Sequence, residues 1–183
     1  MNPVICIGAA LVDDSFHCLN EPLRGTSNPA THFRSAGGVA RNVAHHLAQL
    51  GNPVELISEF GDDADGHWLR NLCTSAGMGI SHSLVAESGT GRFTGIISPS
   101  GELYAGASDT HLEITTSFLA KLEGVLKPAS AILFDCNLDV TCVVWLLQFC
   151  RTNSIPCLVE PVSGLKATNP PSSVGIKTAV SVM

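Results

Sequence analysis

Aromatic residues make up only 5% of this chain, and charged residues only 14%. No basic run occurs, and the net charge is -6. Charge-driven binding to a nucleic-acid backbone is a poor fit to such a balance. No segment reaches the roughly 18 uncharged apolar residues of a membrane span. No basic region followed by a long apolar stretch and a cleavage site opens the chain. The seven cysteines are odd in number and include no Cys-x-x-Cys pair. Several, such as Cys6 in "VICIG", lie inside apolar runs, which suits buried free thiols in a reducing, cytoplasmic compartment. The seven histidines show neither a His-Glu-x-x-His pattern nor paired Cys–His spacing, so no metal site is expected. No Gly-x-Ser-x-Gly elbow points to a hydrolase.

What is present is apolar content, 45% over 183 residues, enough for one domain with a sizeable core. Residues 3–12 form an apolar run that suits one doubly buried strand closed by Asp13. Residues 13–32, with Pro22, Gly25 and Pro29, suit short edge pieces and turns. From Val39 the spacing Val39, Val43, Leu47, Leu50 predicts a helix ended by Gly51. A strand is expected at 53–58 and a second helix at 62–77. Residues 91–108 suggest a hairpin around Pro-Ser-Gly, which interrupts the strand–helix rhythm. A helix at 115–126, a strand at 129–135, a helix at 139–150 weakened by β-branched residues, and a strand at 156–162 complete the pattern. This rhythm predicts an α/β sandwich with a mainly parallel central sheet. Trp68 and Trp145 fall in apolar helical patterns and are expected in the core. "GDDADG" lacks calcium-loop spacing and suits a turn before a helix.

The stretch "FRSAGGVARNVAHHLAQLG" sets Gly37 and Gly38 directly before the first helix. Glycines there admit unusual backbone angles and close approach to the main chain. The free N–H groups of the helix start and the amide of Asn42, one turn on, lie at the same end. The pair is either a plain turn or a cradle for hydroxyl groups. Asp13, Asp135 (with Asn137) and Glu160 are each expected at a strand's carboxyl end, where open α/β sheets bind ligands.

These segments resemble the pfkB (ribokinase-like) carbohydrate kinase family. "AGGVARNVAHHLAQLGNPVELISEFGDDADG" is similar to its first signature, through Gly37, Gly38, Asn42, Ala44, Gly51, Gly61, Asp62, Asp63 and Gly66. Within the family, "GTSNPA", "SPSGELYAGASD" and "CLVEPVS" most resemble pseudouridine kinases. The resemblance covers roughly residues 4–167. It implies a ribokinase-like sandwich with a small β lid, built from segments at about 16–34 and 92–108. It also implies ATP- and Mg2+-dependent phosphorylation of a primary hydroxyl, here the 5′-hydroxyl of pseudouridine. By the same resemblance, Asp13, Gly37, Gly38 and Asn42 would hold the ribose. Thr26 and Asn28 would approach it from the lid, and Asp135 and Asn137 would edge the site.

The family's Asp-Thr-x-Gly-Ala-Gly-Asp stretch, with its catalytic base and anion hole, does not occur here, and no Gly-x-x-x-x-Gly-Lys-Ser/Thr loop replaces it. No Asn-x-x-Glu stretch follows the last expected strand. The chain therefore reads as a partial kinase domain over 1–167 with a divergent tail at 168–183, as a truncated or spliced form would have. Two functions remain open. One is a pseudouridine kinase-like protein. The other is a catalytically inactive isoform that binds nucleoside, forms a homodimer or pairs with a full-length form.

Overall fold

A computed structural model describes residues 2–110 and 112–162. In chain order the elements are β1 (Val4–Ile7), β2 (Leu11–Cys18), β3 (Ala30–Gly37), α1 (Val39–Gln49), β4 (Val54–Ile57), β5 (Glu59–Gly61) and α2 (Ala64–Ser75). Then follow β6 (Leu84–Ala86), β7 (Arg92–Ile97), β8 (Leu103–Asp109), α3 (Thr116–Lys121), α4 (Glu123–Leu126), β9 (Ala131–Asp135), α5 (Val140–Asn153) and β10 (Cys157–Glu160). The expected tail at 168–183 lies outside the described residues.

The central sheet runs β10-β9-β1-β4, and every pairing in it is parallel. Alternation along its strands divides the interior in two. Ile5, Ile7, Ile57, Ile132 and Phe134 face one way and pack with α3 and α5. Cys6, Leu56 and Leu133 face the other way, with Ala40 and Ala44 of α1 and Leu69 and Cys73 of α2. In α5 the buried residues Cys142, Val143, Leu146, Phe149 and Cys150 recur at helical spacing. That buried stripe, with the Asp139 carboxylate accepting from the Thr141 N–H at the helix start, outweighs the β-branched residues.

A second, mixed sheet runs β3-β2-β7-β8, with β2 and β7 parallel and the outer pairs antiparallel. It corrects two expectations. Residues 3–12 are not one strand: the chain leaves β1 at Gly8, whose φ of 149° turns it, and a new strand begins at Leu11. Residues 13–32 hold more than edge pieces, since β2 and β3 pair over eight residues from Leu11↔Gly37 to Cys18↔Ala30. Polar residues make up half of each strand, and β3 is largely exposed: only Gly37 of it is buried. The helix expected at 115–126 is two short ones that meet at Leu122. The pair β5 and β6 was not legible, each being three residues long. The two tryptophans are half-buried rather than central, each packed at the margin of a core.

Candidate functional site

Asp13 does not close β1. It lies in β2, opposite Ser35 of β3 and two positions beyond the start of the strand. The reversal at Gly8–Ala10 nevertheless brings it back over the carboxyl end of the central sheet. A Cβ on Gly37 would stand 2.2 Å from the Asp13 carboxylate, so only glycine leaves that carboxylate its place. Gly38, with φ of 94°, lies against the β1–β2 turn, and a Cβ there would stand 2.1 Å from the Ala9 carbonyl oxygen. The two glycines thus have different tasks. Gly38 lets α1 begin flush against the turn, and Gly37 makes room for an acid.

Asp135 ends β9 as expected, but its work is internal. It is fully buried. Its Oδ2 accepts from the N–H of Ala9 at 3.1 Å and of Ala40 at 3.0 Å, and its Oδ1 accepts from the N–H of Asn137 at 3.0 Å. One carboxylate therefore ties the exits of β1 and β9 to the first turn of α1. Burial raises its pKa, opposed by these backbone bonds and by the Asn137 side chain. Burial, and then the charge of Asp135, pushes the Cys6 thiol up to about 12. Gly8 is required beside it, since a Cβ there would meet the Asp135 carboxyl carbon at 2.4 Å.

Asp13 is half-buried, and its pKa is raised first by burial and then by the neighbouring charge of Asp14. Such a carboxylate lacks solvation and gains by accepting hydrogen bonds from hydroxyl groups. Asn42 stands in the first turn of α1, where its N–H donates to the Gly38 carbonyl at 2.8 Å. Its side-chain oxygen accepts from the Arg41 guanidinium at 3.1 Å. Arg41 is buried and was not singled out from sequence. It fixes the Asn42 amide so that the NH2 group is left as a donor.

Thr26 and Asn28 lie elsewhere, in the loop between β2 and β3. The Asn28 side chain braces that loop, accepting from the Leu23 N–H at 2.8 Å and donating to the Leu23 carbonyl at 3.0 Å. Thr26 is exposed. The far end of β2 is five residues from Asp13, or ~17 Å along an extended strand. The structure therefore groups Asp13, Gly37, Gly38 and Asn42 around the start of α1, with Asp135 and Asn137 beneath. Glu160 ends β10, and its Oε1 accepts from the Val162 N–H at 3.3 Å.

"GDDADG" forms a turn and helix start. Asp63 caps α2 by accepting from the Gly66 N–H at 2.7 Å, and it also accepts from the N–H and hydroxyl of Thr90 at 2.8 and 2.6 Å. Burial alone would raise its pKa, but the Thr90 hydroxyl and the N–H groups of Gly66, Thr90 and Asp65 hold it below the ordinary carboxylate value.

A sequence profile of pfkB family carbohydrate kinases matches residues 1–166. The chain belongs to that family. An uncharacterised sugar kinase of Escherichia coli is 35% identical over 147 residues, covering 79% of this chain and 40% of the relative. The pseudouridine kinase of the same species is 29% identical over 166 residues, covering 89% and 52%. In fold, the pfkB chain matches a sugar kinase structure from Clostridium perfringens with a TM-score of 0.76 at 23% identity, over 92% of this chain and 54% of that one. The chain spans about half the length of these relatives. The fold is the ribokinase-like sandwich with a small mixed β lid, and the lid is the sheet β3-β2-β7-β8. Among the described residues no group of three or more His, Cys, Asp or Glu converges as a metal site, and no helix is long and apolar enough to cross a membrane.

Proposed function

We propose that this chain carries the nucleoside-holding side of a pfkB kinase of the pseudouridine kinase type. The observation that carries the reading is the half-buried Asp13 carboxylate seated on Gly37 at the mouth of α1. A carboxylate so placed accepts from two adjacent hydroxyls, as a ribose 2′,3′-diol presents them. The Asn42 amide and the N–H groups of the α1 start add donors for ring or hydroxyl oxygens. The lid closes over the sugar and keeps water from the transferable phosphoryl group. Likeness to a pseudouridine kinase supports that nucleoside as the ligand to test first. In the complete kinase, ATP with Mg2+ would supply the phosphoryl group for the 5′-hydroxyl, and the base and anion hole would come from the Asp-Thr-x-Gly-Ala-Gly-Asp stretch. Thr26 and Asn28 would reach the nucleoside only if the loop between β2 and β3 folds down with the lid.

A second reading is that the 183-residue chain binds nucleoside without phosphorylating it, alone or paired with a full-length form. Its support is that the groups gathered at the start of α1, the Asp13 carboxylate and the Asn42 amide, are suited to holding hydroxyls. Both readings are tested together. Titration calorimetry with pseudouridine, uridine and ribose is expected to show pseudouridine bound and binding lost in Asp13→Ala. Absence of binding to the wild-type chain overturns the assignment. Incubation with pseudouridine, ATP and Mg2+, scored for the 5′-monophosphate, then separates the two: turnover removed by Asp13→Ala sinks the non-catalytic reading.

A further inference from the structure

The second half of the family-like stretch, "GDDADG", plays no part in holding the sugar, yet its acids are engaged across the molecule. Asp65, in the first turn of α2, forms ion pairs with Arg34 of β3 and, at 2.5 Å, with Arg92 of β7. Arg92 also pairs with Asp14 of β2, and Asp14 accepts from or pairs with His32 of β3 at 2.7 Å. The Arg34 guanidinium lies over the Trp68 ring of α2, 5.0 Å from its centroid. Two lid strands, β3 and β7, therefore meet one turn of one helix of the body, and β2 joins them through Arg92. Two residues away, Asp63 holds Thr90, the residue from which the chain enters β7 through Gly91.

Alternation along β2 gives this arrangement its meaning. Asp13 and Asp14 are adjacent, so their side chains leave opposite faces of the lid. Asp13 faces the start of α1 and Asp14 faces the α2 side, as their contacts show. The ionic network thus braces the back of the strand whose front carries the sugar-facing acid. Within it, Arg92–Asp14 and His32–Asp14 are internal to the lid. The pairs made by Asp65 are those that cross from lid to body.

We propose that the first turn of α2 is the seat of the lid, and that Asp65, acting through Arg34 and Arg92, is a positioning residue that holds β2, and with it Asp13, over the start of α1. The inference goes beyond the proposed function and rests on it only for the nucleoside arm of its test. An isolated exposed ion pair contributes little, but a buttressed network around a shared carboxylate, with an aromatic face behind one arginine, holds geometry.

The test compares the full 183-residue chain with Asp65→Asn and, separately, Arg34→Gln. Hydrogen exchange is read by mass spectrometry. Amides of β2, β3, β7 and β8 are expected to exchange roughly fivefold faster in both variants, while those of β1, β4 and β9 stay unchanged. Asp65→Glu should restore most of the protection. In a Trp145→Phe background, where Trp68 is the sole tryptophan, acrylamide quenching should rise once Arg34 leaves the ring. Lid exchange unchanged in both variants, or accelerated no more than that of the central sheet, overturns the clamp. In the nucleoside arm, Asp65→Asn should bind pseudouridine roughly fivefold more weakly, in step with its faster lid exchange. Unchanged affinity alongside a loosened lid overturns the positioning of Asp13. A wild-type chain that binds no pseudouridine defeats the proposed function, and the exchange and quenching arms still decide the clamp.

Discussion

Gly37 and Gly38 stand side by side, and substitution separates their tasks. In Gly38→Ala a new Cβ meets a backbone carbonyl, at a φ that an L side chain rarely adopts. Both costs fall on the fold, and a loss of about 2–3 kcal/mol in urea denaturation is expected. In Gly37→Ala the atoms nearest the new Cβ are those of the movable Asp13 carboxylate. The expected outcome is a smaller change in stability but at least a tenfold loss in nucleoside affinity by calorimetry, about 1.4 kcal/mol. Affinity should also depend on pH through Asp13. Burial, and then the charge of Asp14, raises its pKa, so the proton is taken up at a higher pH than by an ordinary aspartate. A protonated carboxyl loses its charge and turns one oxygen into a donor, so it accepts from the two hydroxyls more weakly, and nucleoside binding is expected to fall as pH drops through that raised value. Asp13→Asn should flatten that dependence.

At the scale of elements, the start of α2 couples secondary structure to the lid. Asp63 both caps the helix and holds Thr90. Asp63→Ala is expected to cost about 2 kcal/mol, more than an ordinary cap, because the Thr90 N–H loses its partner as well. The sign of its pH dependence follows from a folded pKa below the unfolded one, ~3.9. The stabilisation is fully present above the unfolded pKa and is lost as pH falls through the folded value. Wild type and Asp63→Ala should therefore differ most near neutrality and converge in acid, in paired urea melts. Helix starts such as this one were legible, because acids, glycines and apolar spacing mark them locally. The β2–β3 pairing was not, because a largely exposed polar strand lacks the alternation that marks a half-buried one. Asn28 shows the same limit. Its residue type suits ligand contact, and only the folded loop shows its amide bonded to Leu23.

For the molecule as a whole, the parallel sheet divides two cores of unequal reach, and its outer strand differs from the rest. Phe134 is fully buried in the core on the α5 side. Phe134→Ala is expected to cost about 3–5 kcal/mol, read as a fall in denaturation midpoint with unchanged slope. Leu158 of β10 is 54% exposed, and no described strand pairs with the outer edge of β10. An apolar strand edge of this kind templates association. Leu158→Lys should reduce concentration-dependent self-association in sedimentation velocity. Five of the seven cysteines are buried and none forms a disulfide, while Cys157 on this same strand is exposed.

The amino-acid sequence by itself determined the strand–helix rhythm, the helix starts at Gly38 and Asp63 and the family, because those signals are local or carried by contiguous stretches. It also picked out Asp13, Gly37, Gly38 and Asn42. Tertiary structure alone decided what each does. Asp135 reads as a site acid at a strand end, but its carboxylate is consumed by backbone N–H groups, those of Ala9 and Ala40 from distant segments and that of Asn137 nearby. Asp13 reads as the end of the first strand, but the turn at Gly8 sets it in the lid and over the start of α1. Asp65 reads as helix-start charge, but two arginines from other strands meet it there. In each case the deciding partners lie far away in the chain, and no local pattern encodes which long-range contacts a polar side chain will satisfy.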